Sequence, residues 1–373
     1  MIVLSFISNI LLKIIYFFIK LIPTSNKIVM ISSVNDNRSI DFYLLEEKLK
    51  AKYKIVSLSK IYDINTNYSF LYKTKYFLHS IKIMYHLSTS KVCLVDSYCP
   101  VVSILNHKNS LTVIQIGNYS GIFKKKGYST INKKEGITKT KANTMKLHNN
   151  YDIILSSSKN CNDVLIKQYN TSQNNIKIGT LPRFDLLNDF KFEEKIKEKI
   201  FEKYPILKNK ENIIYAPMLR IDKNKFLIHL NELIDKIDLT KYNLIVKLHP
   251  LMNISISNDN VIIDNDFSTF EMLFVSNKMI TDYSSIIFEA GARGIPLYFY
   301  SYDLGYFKYT CGLEIDYKEL PGYIEKDANE LIKDFDKEYN TKYLKEFIKK
   351  YVSNTTNCTD KLADLVSSFM DRR

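Results

Sequence analysis

Two short polar segments in the second half of the chain carry residue types suited to an anion. Thr281-Asp282-Tyr283-Ser284-Ser285-Ile286-Ile287-Phe288-Glu289 lies between an apolar strand-like run and an apolar helix-like one, and Lys247-Leu248-His249-Pro250 ends an earlier apolar run. As strand ends, the two segments offer a ligand serine hydroxyls, a histidine, a lysine and the free N–H groups of a helix start. That set suits a phosphate or diphosphate. Ser284 and Ser285 could equally cap the following helix, and capping is compatible with anion binding at the same N-terminus. Asp282 either orients a histidine or holds the turn. His249 alone reads as structural; beside Lys247 and ahead of the 282–285 turn it reads as functional.

Three further segments belong with these. Gln115-Ile116-Gly117-Asn118-Tyr119-Ser120-Gly121-Ile122-Phe123-Lys124-Lys125-Lys126-Gly127-Tyr128 follows a strand-like run, and its glycines and lysines make a flexible cationic loop able to approach a phosphate. A solvated basic turn fits the same composition. Gly179-Thr180-Leu181-Pro182-Arg183-Phe184-Asp185 opens a helix, and Tyr215-Ala216-Pro217-Met218-Leu219-Arg220 leaves a strand. Arg183 and Arg220 stand out in a chain with only six arginines, since the guanidinium fork grips phosphate in a way lysine cannot copy. A structural ion pair and a ligand contact fit each arginine equally. His148 sits at a predicted helix end and reads as structural, as do His79, His86, His107 and His229. No HExxH motif or His/Cys cluster marks a transition-metal site.

The elements that must position these residues alternate. Strands are predicted at 27–32, 53–58, 91–95, 111–116 and 151–156, with helices at 39–51, 69–88 and 139–149 between them. A second series follows Pro205, with strands at 212–216, 243–248, 260–263, 277–281 and 295–300. Apolar strands alternating with helices predict an α/β protein with parallel sheets covered on both faces. Two such series predict two Rossmann-like domains, 24–178 and 179–373, joined near Gly179 to Pro182. Ligands in such sheets bind beyond the carboxyl ends of the strands, where these polar segments fall.

The 373 residues exceed one ordinary core, which agrees with two domains. A formal charge of +13, carried mostly by lysine, favours anionic partners: phosphorylated substrates, a membrane surface or nucleic acid. Nucleic acid fits least, because the chain has no zinc spacing, no RNP-like motif and no run of five basic residues. Five cysteines without CxxC spacing read as buried thiols of a reduced, intracellular protein. Residues 1–23 read as a membrane-associating amphipathic helix. Ser5, Asn9, Lys13, Tyr16 and Lys20 share one face, and neither a basic n-region nor a small-residue cleavage site marks a signal peptide. A spanning helix would place Lys13 near the bilayer centre at a cost of about 2.5–3.5 kcal/mol, so an interfacial helix with snorkelling lysines is the expectation.

Together these segments resemble the CDP-glycerol glycerophosphotransferase family, the teichoic-acid and capsule polymerases and primases of bacteria. Ser39-Ile40-Asp41-Phe42, Asp96-Ser97-Tyr98-Cys99, the 115–128 loop, Lys133-Lys134-Glu135-Gly136, Leu181-Pro182-Arg183, Tyr215-Ala216-Pro217, His249-Pro250, Thr281–Ser285, Tyr300-Ser301-Tyr302-Asp303-Leu304 and Asp316–Gly322 carry the likeness in order. The resemblance implies a GT-B architecture, two Rossmann-like domains with parallel sheets facing a central cleft. It implies attack by an acceptor hydroxyl on the alditol-bearing phosphate of a CDP-alditol, CMP leaving, at the cytoplasmic face of the membrane. The acceptor would be a lipid-linked glycan or poly(alditol phosphate). His249, Arg183, Arg220, Lys247, Ser284, Ser285 and Glu289 would then serve the donor with Asp282, and Gln115, Asn118, Gly121, Lys124 and Lys125 the acceptor side. A divalent cation could assist through the diphosphate without a protein cage. Where the family carries its presumed general-base histidine, this chain has Asn118, which cannot usefully accept a proton. A catalytically silent nucleotide or polymer binder and a nucleotide-sugar glycosyltransferase are the alternatives.

Overall fold

The computed structural model describes residues 2–34, 36–61, 69–249, 252, 254, 256, 258 and 260–371, with residues 2–9 as backbone only. Pro250 therefore lies outside the described residues, as do the side chains of Ser5 and Asn9. The chain forms two compact α/β units. The first holds residues 1–120, 126–185 and 354–373, and the second residues 121–125 and 186–353.

The sheet of the first unit comprises β1 (Lys27–Ser32), β2 (Lys54–Ser59), β3 (Val92–Val95), β4 (Thr112–Gln115), β5 (Ile153–Ser156) and β6 (Ile176–Ile178), in the order β2-β1-β3-β4-β5-β6. All its pairings are parallel. β1 and β3 are buried along their whole length, which explains their uninterrupted apolar runs. The chain leaves β1 for β2 on one side and reaches β3 on the other, so the β1/β3 boundary is a topological switch point.

The second unit is also built on a parallel six-stranded sheet, with a different strand order. Its strands are β7 (Glu211–Ala216), β8 (Tyr242–Val246), β9 (Ile262–Ile263), β10 (Lys278–Thr281), β11 (Leu297–Tyr300) and β12 (Gly322–Glu325), in the order β12-β11-β10-β7-β8-β9, all parallel. Its switch point lies between β7 and β10. On one face Phe226, Leu230 and Leu233 pack with Leu331 and Tyr298. Elsewhere in the unit Phe288 stacks on Phe347 with ring centroids 6.1 Å apart.

Every strand predicted from the sequence forms, its ends within two residues of expectation. The helix predicted at 139–149 instead stops at Thr144, because Lys146, His148 and Asn150 all adopt positive φ. The division at 178/179 needs correcting three times, the first because residues 179–185 stay with the first unit. Residues 354–373 return to the first unit: the Asp185 carboxylate accepts from the N–H groups of Cys358 (2.7 Å) and Thr359 (2.8 Å), opening the helix Cys358–Met370. Conversely, residues 121–125 belong to the second unit.

The helix Ile2–Ile19 is tied to the first unit by its polar side. Tyr16 Oη lies 2.8 Å from His107 Nδ1, and Lys20 donates to the Asn106 carbonyl at 3.0 Å. His107 Nε2 lies 2.7 Å from the Val102 carbonyl, so Nε2 carries the proton and Nδ1 accepts from Tyr16. Ile14, Phe17, Phe18 and Leu21 are instead 53–72% exposed. Tyr16 and Lys20 thus face protein, where Lys20 was expected to snorkel toward headgroups, while the apolar side faces outward. Among the described residues, no helix is long and apolar enough to cross a membrane.

Candidate active site

In the second unit, side chains stitch the switch point together. Thr281 Oγ1 donates to the Ala216 carbonyl (2.7 Å), and the Asp282 carboxylate accepts from Met218 N–H (2.9 Å). Arg220 Nη2 lies 2.7 Å from Asp282 Oδ2, and its Nε lies 2.8 Å from Asp303 Oδ2. Nη1 donates to the Met218 carbonyl at 3.1 Å, and Tyr283 Oη donates to Asp303 at 2.9 Å. Burial works against the Arg220 charge, but Asp282 and Asp303 more than offset it and raise its pKa. Arg220 is therefore a buried cross-link between the ends of β7, β10 and β11. Of the two readings for this arginine, the geometry supplies the ion pair.

Around that cross-link the sequence-predicted residues divide. Ser284 and Ser285 are half-buried, and among the described residues neither hydroxyl has a hydrogen-bond partner. The next helix, Ile287–Ala292, begins after Ile286 without a side-chain cap, so the capping role expected of the serines is not taken up. Glu289 is buried in that helix's first turn. His249 is half-buried, and burial, then Lys124, lowers its pKa. Lys124 is brought here by residues 121–125: Phe123 stacks on Tyr317, Lys125 N–H donates to Gly312 O, and Lys124 Nζ lies 3.2 Å from Met218 Sδ. Burial lowers the Lys124 pKa, Asp282 acting against it. Gly121 has φ +72 and no room for a Cβ, which would stand 2.4 Å from the Phe288 ring. Gly121, Lys124 and Lys125 thus belong to the unit of Arg220 and Asp282, not to the acceptor-side domain as expected.

Two cations predicted to face the donor are spent elsewhere. Lys247 Nζ donates to Asp264 Oδ2 (2.7 Å), to the Asp264 carbonyl (2.9 Å) and to the Phe267 carbonyl. These contacts use all three of its protons in a buried site, so it anchors the chain after β8 rather than a diphosphate. Arg183 lies in the first unit, where its N–H and Nε each donate to Asp41 at 2.9 Å and Nη2 pairs with the same carboxylate. Asp41, Asp303 and Tyr283 carried no assigned role in the sequence. Their signal was present only as motif neighbours, because each acts on a residue distant in the chain.

The first unit has its own site at the carboxyl ends of β3 and β4. A cavity of about 170 Å³ is lined by Asp96, Ser97, Gln115, Asn118, Lys126 and His148, among others. Gln115 is buried and bridges it: Nε2 donates to the Ser97 carbonyl (3.4 Å), and Oε1 accepts from Gly117 N–H (3.0 Å), setting the turn that carries Asn118. Lys126 Nζ sits 3.1 Å from the Tyr119 ring centroid. His148 packs edge-on against Tyr98 and Tyr169, and burial, then Lys126, lowers its pKa to about 3. The His148 reading as purely structural missed its place in this wall. No group of three or more His, Cys, Asp or Glu side chains arranged to hold a metal ion occurs among the described residues.

The family model for CDP-Glycerol:Poly(glycerophosphate) glycerophosphotransferase matches residues 14–366. The chain belongs to this family. It is 27% identical over 366 residues to the teichoic acid ribitol-phosphate primase of Bacillus spizizenii, covering 94% of this chain and 93% of that protein. It is 28% identical over 348 residues to the teichoic acid glycerol-phosphate primase of Bacillus subtilis, covering 87% and 86%. The solved structure of the wall teichoic acid polymerase TagF superposes with a TM-score of 0.76 at 19% identity, over 99% of this chain and 97% of that one. A UDP-GlcNAc 2-epimerase from Neisseria meningitidis bound to UDP-GlcNAc gives 0.59 at 13% identity, over 92% and 100%. Likeness at such identity is one of fold, and it agrees with the GT-B kind of chain expected from the sequence. As a glycerophosphotransferase-family member the chain is a transferase of alditol phosphates.

Proposed function

We propose that this chain transfers glycerol phosphate or ribitol phosphate from a CDP-alditol to a hydroxyl of a lipid-linked glycan or poly(alditol phosphate), releasing CMP. The family match across residues 14–366 carries the reading. The second unit takes the donor. Ser284 and Ser285 offer hydroxyls with no partner among the described residues, His249 a neutral imidazole and Lys124 a desolvated ammonium. Arg220, Asp282 and Asp303 hold the loop that presents the serines, Lys247 anchors the chain that carries His249, and Phe123 on Tyr317 holds the segment of Lys124. A bound diphosphate favours the charged forms of His249 and Lys124, so both interactions strengthen as charge gathers on the leaving phosphate. The first unit takes the acceptor in the cavity beside Asn118. Catalysis then rests on positioning and charge stabilisation, as phosphoryl transfer requires.

The donor assignment is tested by CMP release. The protein is expected to release CMP from CDP-glycerol or CDP-ribitol and no nucleotide from UDP- or GDP-sugars, and His249→Ala to lower that release at least about 100-fold. Release from the sugar donors alone, or an unchanged rate in His249→Ala, sinks the assignment.

The reaction is placed at the cytoplasmic face of the membrane, held there by the outward side of the helix Ile2–Ile19. Phe17 and Phe18, each more than 60% exposed, are the side chains for that contact. Replacing both by Asp is expected to lower co-sedimentation with phosphatidylglycerol vesicles at least about 10-fold. Equal sedimentation of variant and wild type contradicts membrane docking by this face.

A further inference from the structure

The transfer proposed above must dispose of a hydroxyl proton, and the cavity in the first unit has few groups able to take it. Asn118 cannot, and Lys126 is already a cation over the Tyr119 ring. His148 and Asp96 remain. The His148 ring is wedged between tyrosines and is a weak base at a pKa of about 3. Asp96 has a different setting. It follows β3 at the β1/β3 switch point, its N–H directed at the Ile31 carbonyl of β1 (3.4 Å), where open parallel sheets bind ligands. Its Oδ1 accepts from Ser97 Oγ at 2.8 Å, and Ser97 Oγ in turn accepts from Ser33 N–H at 3.1 Å. The carboxyl group is thus fixed by hydroxyls at the junction of two strands and lines the cavity.

Its electrostatic surroundings are unusual for a buried acid. Asp96 is only 4% exposed, yet among the described residues no cation forms an ion pair with it. Burial raises its pKa to about 6; hydrogen bonds from Ser32, Ser97 and Ser33 act against that rise, and Asp41 on the helix Ile40–Leu49 adds to it. Asp41 is itself paired with Arg183, so it adds a neighbouring charge and no proton donor. The other titratable groups facing the cavity are Lys126, Tyr98, Tyr119, Tyr169 and His148. A buried carboxylate without a cation is costly to keep ionised. A group ionised just above pH 6 is well matched to accepting a proton near neutrality.

We propose that Asp96 takes the proton from the acceptor hydroxyl, which binds in the cavity it shares with Asn118. The inference rests on the transferase reading given above. In the step, the acceptor oxygen forms a new bond to the alditol-bearing phosphorus and its proton passes to an Asp96 carboxylate oxygen. The bond from that phosphorus to the bridging oxygen breaks, and CMP leaves with the electron pair; Asp96 later returns the proton to water. Asn118 accepts from or donates to a neighbouring hydroxyl and so orients the acceptor. At about 170 Å³ the cavity is small beside ordinary ligand pockets, so it takes the end of a polyol and not a whole glycan.

The test follows CMP release from CDP-glycerol and CDP-ribitol by the full chain, with a synthetic alkyl-linked glycerol phosphate as acceptor, from pH 5 to 8. Asp96→Asn is expected to lower acceptor-dependent kcat by about 100- to 10,000-fold while donor Kd stays within about twofold, and Asp96→Glu to recover part of the rate. Wild-type kcat/KM is expected to fall below an apparent pKa near 6, a limb absent from the residual activity of Asp96→Asn. An active wild type whose Asp96→Asn variant keeps a third of the rate overturns the assignment of Asp96 alone. A wild type that neither binds nor cleaves either donor overturns the transferase reading and this one with it. Should Asp96→Asn fail to fold, the wild-type profile decides: a limb near 6 supports the assignment, and a flat profile overturns it.

Discussion

At the β7/β10 switch point Asp282 is buried 2.7 Å from the guanidinium of Arg220, with Asp303 closing the other side. At the β1/β3 switch point Asp96 is equally buried, but its neighbour at 2.8 Å is the hydroxyl of Ser97. The two sheets differ in strand order, but each sets a carboxylate just after the strand that follows its switch point, Asp96 after β3 and Asp282 after β10. One is neutralised by a cation, while the other has only hydrogen bonds, which bring no compensating charge. The first arrangement fixes the loops after β7, β10 and β11 to one another. The second leaves a carboxyl group able to change protonation. The difference is between a rigid frame in one unit and, in the other, a buried carboxyl group without a cation among the described residues.

If the comparison holds, removing charge from the two places has opposite effects on stability. Arg220→Ala strands Asp282 and Asp303 as buried charges without their cation and is expected to cost about 3–5 kcal/mol, read as a lowered denaturation midpoint. Loss below about 1 kcal/mol would show that the cross-link is not a frame.

Asp96→Asn is expected to stabilise. Its folded-state pKa of about 6 is raised above the ordinary 3.8, so its contribution to stability is full below 3.8 and lost as pH rises through 6. Above pH 7 the neutral variant escapes that loss, a gain on the order of 3 kcal/mol, while at pH 3.5 the two proteins are expected to match. Urea denaturation at the two pH values checks it, and a variant less stable at pH 7.5 would make Asp96 an ordinary structural acid. A smaller effect is expected at the donor loops. Ser284→Ala with Ser285→Ala removes hydroxyls lacking partners among the described residues, so stability should move by less than about 0.5 kcal/mol. A larger loss would make the two hydroxyls part of the frame.

The sheets were readable because buried parallel strands leave unbroken apolar runs, as in Ile28–Ile31 or Ile213–Tyr215. β6 and β12 escaped notice for the converse reason: Lys177 and Ile178 are exposed, Gly322 to Glu325 half-exposed, and neither edge strand makes such a run. The polar segments at strand ends were also visible, since residue type alone marks them. The destinations of their side chains were not. Arg183 finds its carboxylate 142 positions away and Arg220 finds its two at 62 and 83, separations no local pattern encodes. The 115–128 loop divides between the units because Gly121 meets Phe288 and Phe123 meets Tyr317, contacts set by packing and not by the loop's own composition. Asp96 was visible as a motif member, but its burial without a cation is a property of the fold.

The most direct test of the division of labour is a calorimetric titration of CDP-glycerol and CDP-ribitol into two variants, Asp96→Asn and Ser284→Ala with Ser285→Ala. Asp96→Asn is predicted to bind a donor with the wild-type Kd, and the double serine variant to bind it about 10-fold more weakly, the loss of about 1.4 kcal/mol expected for two hydroxyl contacts to phosphate. Weakened binding in Asp96→Asn beside wild-type affinity in the serine variant would contradict the account.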